Sequence, residues 1–112
     1  MPDVAVPPLI RSASVNNISE YVVRSAEREP ARVLVSVRTG REESIGSGTG
    51  ADRRSWRDVT AAELHTEIDG LARGFVAAGI QVGERVVIMS RTRYEWMLAD
   101  FALWSVGAVP VP

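Results

Sequence analysis

The sequence predicts an α/β fold assembled from an N-terminal helix, a β-hairpin and a βαβ unit. Three observations lead there. Segments 60–78 and 92–106 each open on a Thr followed three residues on by a Glu, and each is followed by a Gly. That is helix punctuation: a capping box at the start and a left-handed stop at the end. Val33, Val35 and Val37 alternate with Leu34, Ser36 and Arg38, which is the period of a strand. Val86 to Met89 is an unbroken apolar run, as in a parallel strand covered on both faces.

Residues 1–15 read as an irregular lead-in, because Pro2, Pro7 and Pro8 block helix and no period is present. Asn17 to Glu29 reads as a helix with Asn17 as cap and Glu20 reaching back to it. Ile18, Tyr21, Val22 and Ser25 share one face, and Pro30 ends the helix. Val33 to Arg38 and Arg53 to Asp58, the second centred on Trp56, form a hairpin around the Gly- and Ser-rich loop 39–52. In the helix from Thr60 to Ala78, Val59 and Leu64 stand at the staple positions, and Leu64, Ile68, Leu71 and Phe75 make one apolar stripe. Gly79 ends it, and Ile80 to Glu84 turns around Gly83 into the strand Arg85 to Ser90. The helix Thr92 to Val106 buries Met97, Leu98, Phe101 and Trp104, with Ala108 beyond; Gly107 closes it, and Ala108 to Val111 is extended. Strand, helix and strand make a βαβ unit with a right-handed crossover. The final strand needs a neighbour, so a truncated domain is expected.

Composition narrows the chemistry. The 112 residues carry a net charge of −1, which argues against a nucleic-acid partner held by a broad basic field. All thirteen basic residues are Arg, so no P-loop, Schiff-base or general-base lysine exists here. Cysteine is absent, which removes disulfides, thiol catalysis and Cys-ligated zinc. Met1 to Ile10 lacks the basic and apolar regions of a signal peptide, and no run approaches the ~20 apolar residues of a membrane span.

Several residues invite a functional reading and receive a plainer one. Gly46-Ser47-Gly48-Thr49-Gly50 has the composition of a phosphate cradle, yet Ala51 to Arg54 leads into a strand rather than a helix, so a simple loop is expected, with Arg53 and Arg54 as exposed cations. His65, the single histidine, lies off the apolar stripe and has no second ligand to share a metal with. Glu63 and Glu67 are one turn apart on an exposed face and read as structural. Trp96 and Trp104 read as core rather than as the wall of an apolar tunnel. Arg91 and Arg93 flank a helix start beyond the C-terminal end of a strand, where α/β sheets bind ligands. A cation there opposes the helix dipole unless a carboxylate offsets it, and Glu95 is in reach. A salt bridge or subunit contact is expected ahead of a ligand contact. No catalytic, cofactor-binding or metal-ligating residue is assigned.

The order of elements from Ser55 to Pro112 resembles the start of the large domain of the AMP-binding, adenylate-forming superfamily. The resemblance is carried by Trp56-Arg57-Asp58-Val59-Thr60-Ala61-Ala62-Glu63-Leu64, by Gly79-Ile80-Gln81-Val82-Gly83-Glu84-Arg85-Val86, by Glu95-Trp96, and by Gly107-Ala108-Val109-Pro110-Val111-Pro112. The run Ser90-Arg91-Thr92-Arg93-Tyr94-Glu95-Trp96 is similar to the long-chain fatty-acyl-CoA synthetases (fatty-acid–CoA ligases), and Asn17 to Arg32 fits their opening helix. The loop from Glu42 to Arg53 is longer than that family's, which a hairpin tip tolerates. The family's phosphate-binding loop, Thr-Ser-Gly-Thr-Thr-Gly-x-Pro-Lys-Gly, does not occur here. Neither do its adenine- and magnesium-contacting motifs or its C-terminal lid.

The resemblance implies that residues 16–112 are the N-terminal part of the layered α/β large domain. It implies a parent enzyme that turns fatty acid, ATP and coenzyme A into acyl-CoA, AMP and pyrophosphate through an acyl-adenylate, with magnesium. It also implies a cytoplasmic location, at the membrane surface or away from it, and leaves a homodimer open. The 112-residue chain by itself is expected to be an inactive scaffold piece. The alternatives are a stand-alone interaction or nucleotide-binding module and an inactive gene fragment. The nucleotide module lacks the Gly-rich turn it needs, because Ser90-Arg91-Thr92 follows the strand.

Overall fold

The computed structural model describes residues 16–39 and 56–112, in which helices alternate with two small sheets. The lead-in at 1–15, the Gly46–Gly50 loop, and Arg53 and Arg54 lie outside the described residues. The elements are α1 (Glu20–Arg28), β1 (Val33–Arg38), β2 (Trp56–Thr60), α2 (Ala61–Ala77), β3 (Arg85–Val87), α3 (Tyr94–Ser105) and β4 (Val109–Val111). The expected order of helix, hairpin and βαβ unit is present.

β1 and β2 pair antiparallel, with Val35 opposite Val59 and Val37 opposite Arg57, and a register shift between Val33 and Val35. Ser36 Oγ donates to Asp58 Oδ1 across the pair at 2.6 Å. The hairpin runs straight into α2, whose capping box forms as the sequence predicts. Thr60 Oγ1 accepts from the Glu63 N–H at 3.3 Å, while Glu63 Oε2 accepts from the Thr60 N–H at 2.8 Å. The staple residues Val59 and Leu64 are both buried. With Val22, Ile68, Ala72 and Ala102 they form the core, each large apolar side chain contributing roughly 1.5–3 kcal/mol. Gly79 and Gly83 both take positive φ, 94° and 79°, where the chain must reverse before β3.

Four expectations are corrected. The cap of α1 is Ser19, not Asn17, and it makes no side-chain capping bond. Asn17 is engaged elsewhere: its Oδ1 accepts from the Ser19 N–H, and its Nδ2 donates to the Trp104 carbonyl at the far end of α3. Glu20 pairs with Arg24 one turn on instead of reaching back. Only Val22 of the expected α1 face is buried, and Ile18 and Tyr21 remain about half exposed.

The second correction is at α3. The Thr92–Glu95 capping box does not form, because the helix begins one residue later with Arg93 as N-cap. Glu95 then sits at the second helical position and is held by the Arg93 guanidinium, Nε to Oε2 at 2.6 Å and Nη2 to Oε1 at 3.2 Å. A two-point, charge-assisted pair outcompetes the single neutral backbone N–H of Thr92 that a capping box would offer the carboxylate.

The third concerns what α3 buries. Ala102 and Leu103 are fully enclosed, whereas Met97, Leu98, Phe101 and Trp104 are only partly covered. α3 packs against α2 on one side and β4 on another, so it buries more than one stripe.

The fourth concerns the second sheet. β3 and β4 pair in parallel, Arg85 with Val109 and Val87 with Val111, as a βαβ unit requires. The ladder is short: Val109 N–H donates to the Glu84 carbonyl and Ile88 N–H to the Val111 carbonyl, both at 2.8 Å, while Pro110 between them faces the opposite edge. Coverage on both faces is not found: Val87 and Met89 are exposed.

Candidate functional site

Arg57, Glu67 and Tyr94 come from β2, α2 and α3 and meet where the hairpin crosses the helices. β2 places Arg57 beside the start of α2, and one turn beyond the capping Glu63 the helix turns Glu67 toward α3. Tyr94 is the first residue of α3, so its ring projects back to them. Its hydroxyl donates to Glu67 Oε2 at 2.9 Å. Arg57 Nη1 lies 3.7 Å from Glu67 Oε1, and its guanidinium carbon lies 5.5 Å from the centre of the Tyr94 ring. The triangle combines an ion pair, a charge-assisted hydrogen bond and a cation–π contact.

Electrostatics assign the roles. Burial, and next the hydrogen bond to the Glu67 carboxylate, push the Tyr94 phenol up to about 12. At neutral pH it is therefore a fixed donor, unsuited to removing a proton. The cluster works as a latch between hairpin and helices. Beside it an open cleft of about 600 Å³ lies between β1 and the start of α3. Val35, Val37, Trp96 and Met97 give it apolar walls, and Arg38, Arg93 and Glu95 stand among its polar lining.

The other sequence candidates fall as follows. The Arg93–Glu95 salt bridge expected from the dipole argument is present, and the guanidinium, followed by its own backbone N–H, holds the Glu95 carboxyl below the usual range. Arg91 is exposed beside it. Glu63 is fixed in its cap, where Thr60 holds its carboxyl below the usual range. His65 is half-buried rather than freely solvated. Trp96 and Trp104 are half-buried; Trp96 lines the cleft and is not enclosed in the core. Asp100 is pushed up by burial, against a hydrogen bond from Trp104. Glu67 has the structural role expected of it, but it is half-buried rather than on an exposed face, because its partner Tyr94 is 27 residues away in the chain.

These residues can be tested against the ATP and magnesium that the resemblance implies. A phosphate cradle needs free N–H groups at a helix start. In α2 the first three are taken, by the carbonyls of Arg32 and Pro30 and by Thr60 Oγ1. In α3 the Glu95 carboxylate occupies the first turn and would repel an anion. Among the described residues no group of three or more His, Asp or Glu side chains could hold a metal ion. The residues described do not fit a nucleoside triphosphate or its metal.

Comparison with known proteins adds the family. The model of the AMP-binding enzyme family matches residues 23–112. A stretch of 57 residues is 54% identical to long-chain-fatty-acid–CoA ligase FadD15 of Mycobacterium tuberculosis, covering 51% of this chain and 10% of that protein. The olefin beta-lactone synthetase of Xanthomonas campestris is 35% identical over 103 residues, 90% of this chain and 17% of the relative. The chain thus spans between about a tenth and a sixth of these curated relatives. Among solved structures, the fatty acyl-adenylate ligase from L. pneumophila superposes with a TM-score of 0.65 at 16% identity, over 85% of this chain and 15% of that one. The described architecture is that of the N-terminal part of the adenylate-forming fold.

Proposed function

Because this chain belongs to the AMP-binding enzyme family, we propose that residues 16–112 serve as the N-terminal scaffold of a long-chain fatty-acid–CoA ligase. One observation carries the substrate class: the 57-residue stretch that is 54% identical to a protein named for that activity. The parent reaction would join a fatty acid to AMP with release of pyrophosphate, and coenzyme A would then displace AMP to give the thioester. ATP, magnesium and coenzyme A belong to that parent reaction. Residues 16–112 supply shape to it: the hairpin is latched to the helices by Arg57, Glu67 and Tyr94, and α3 is set against the parallel strands.

The test has two steps. An antibody against residues 56–112 captures the native product, whose mass is compared with 12.2 kDa. The captured protein is then assayed for thioester formation dependent on ATP and coenzyme A. A product several times heavier that makes acyl-CoA supports the reading. A 12.2 kDa product without activity leaves an inactive fragment.

A second reading has its own support. The similarity to an olefin beta-lactone synthetase extends over 90% of this chain, more than the 51% matched to the ligase. Under it the parent enzyme would activate an acid without forming a thioester. Sustained turnover to a beta-lactone product in the absence of coenzyme A would favour that reading.

A further inference from the structure

Two clefts of the fold join end to end. The open cleft of about 600 Å³ beside the first turn of α3 runs along β1 from Val35 to Arg38. A second, of about 240 Å³, lies between α1 and β1, where Ile18, Val22, Leu34 and Phe101 are among its walls. Val35 and Met97 line both, so the two form one channel. Three strand steps of about 3.3 Å separate Val35 from Arg38, which sets that junction roughly 10 Å from the Arg38 end.

Charge is confined to one end of the channel. At the α1 end the walls are apolar apart from two hydroxyls, and that of Ser25 already donates to the Tyr21 carbonyl at 2.8 Å. At the other end stand Arg38, Arg93 and Glu95, two cations against one carboxylate, which leaves one net positive charge. Glu95 neutralises Arg93. The Arg38 side chain is exposed and has no ion pair among the described residues. The wall between the ends is held in place, because Tyr94 is tied to Glu67 and Arg93 to Glu95 in the first turn of α3. A mostly apolar channel with one available charged group is the pattern of a small-molecule site.

We propose that this channel binds a single-chain anionic amphiphile, its oxyanion head on the Arg38 guanidinium and its tail running past Val37, Trp96 and Met97 toward Phe101 and Ile18. A guanidinium pairs with carboxylate or phosphate oxygens at two points, so the head is one of those two groups. A cationic head would meet Arg38 as a like charge, and a neutral head would gain no ion pair from it. The inference goes beyond the ligase reading, which places no ligand on these residues.

The full 112-residue chain, in sucrose to favour the folded state, is titrated with dodecanoate below its micelle concentration, without ATP or coenzyme A. Binding is followed by calorimetry and by methyl NMR. The expected result is saturable binding that shifts the Val35, Val37 and Met97 methyls and leaves those of Val76, exposed on α2, in place. Affinity should rise about two- to fourfold for each methylene added between octanoate and dodecanoate, as burial of the tail requires. Arg38→Gln should weaken dodecanoate about tenfold and leave dodecanol unchanged. Dodecyl phosphate that binds and is weakened by the same variant also supports the proposal, and the tighter of the two heads names the source. Leu34→Asp, at the α1 end, should flatten the dependence on chain length. An absence of saturable binding, equal affinity for dodecyltrimethylammonium, or unchanged affinity in Arg38→Gln overturns the proposal. Failure of the captured parent protein to make acyl-CoA would refute the ligase reading and leave the channel standing.

Discussion

Tyr94→Phe tests the latch with little steric change. The variant keeps the ring under Arg57 and removes only the hydroxyl that donates to Glu67 at 2.9 Å. A hydrogen bond to a buried charged acceptor is worth roughly 1.5–3 kcal/mol net. Here the Glu67 and Arg57 side chains are 37% and 45% exposed, so solvent screens the group and the expected loss falls to about 1 kcal/mol. For a folded region of this size that lowers the melting temperature by about 4–8 °C. The assay is urea unfolding in a stabilising osmolyte, run as a double-mutant cycle with Glu67→Gln. A coupling of about 0.5–1.5 kcal/mol is expected, and a value below about 0.3 kcal/mol would refute the latch. The alkaline limb gives an independent check. Folding raises the Tyr94 phenol to about 12, above its free value near 10. Folding therefore favours the protonated form. That contribution is complete below about pH 10 and is lost as pH rises through 12. With no Lys and no Cys in the chain, a Tyr21→Phe background leaves Tyr94 as the one phenol in that window. Stability in that background should fall between pH 10 and 12, and Tyr94→Phe should flatten the fall.

Further outcomes follow from the same geometry. Leu103→Ala removes the largest fully buried side chain and should cost about 2–5 kcal/mol in urea unfolding, enough to unfold a marginal domain. Gly107→Ala should destabilise by roughly 1–2 kcal/mol, because φ is 76° and the added methyl would stand 3.2 Å from Val82 Cγ1. Gly74→Ala, inside α2 with open space around it, should instead raise stability by about 0.5–1 kcal/mol. Thr60→Ala should cost about 1 kcal/mol, read by circular dichroism during urea unfolding. Folding lowers the Glu63 carboxyl, so its share of stability is present above the ordinary carboxyl value and lost as pH falls through the folded one. Glu63→Gln should remove that acid-limb dependence.

The sequence by itself determined the elements whose causes are local. The capping box of α2 needs only Thr60 and Glu63, three residues apart, and the left-handed stop at Gly79 needs only a missing Cβ. The alternating valines fix the hairpin in the same way, and the ordered run of short motifs was enough to name the family. Tertiary structure decided every case in which a side chain had a choice of partner. Asn17 is a good cap by propensity, yet it is drawn to the Trp104 carbonyl 87 residues away. Glu95 could have completed a box with Thr92, yet the neighbouring guanidinium binds both of its oxygens. Glu67 read as surface because Tyr94 and Arg57 reach it only after three elements pack. α3 is apolar almost all round, so its period could not say that Ala102 and Leu103 would be enclosed. Local rules act over one helical turn, whereas a polar group takes whichever partner packing brings closest with the stronger charge, and that competition is settled only when the chain closes on itself.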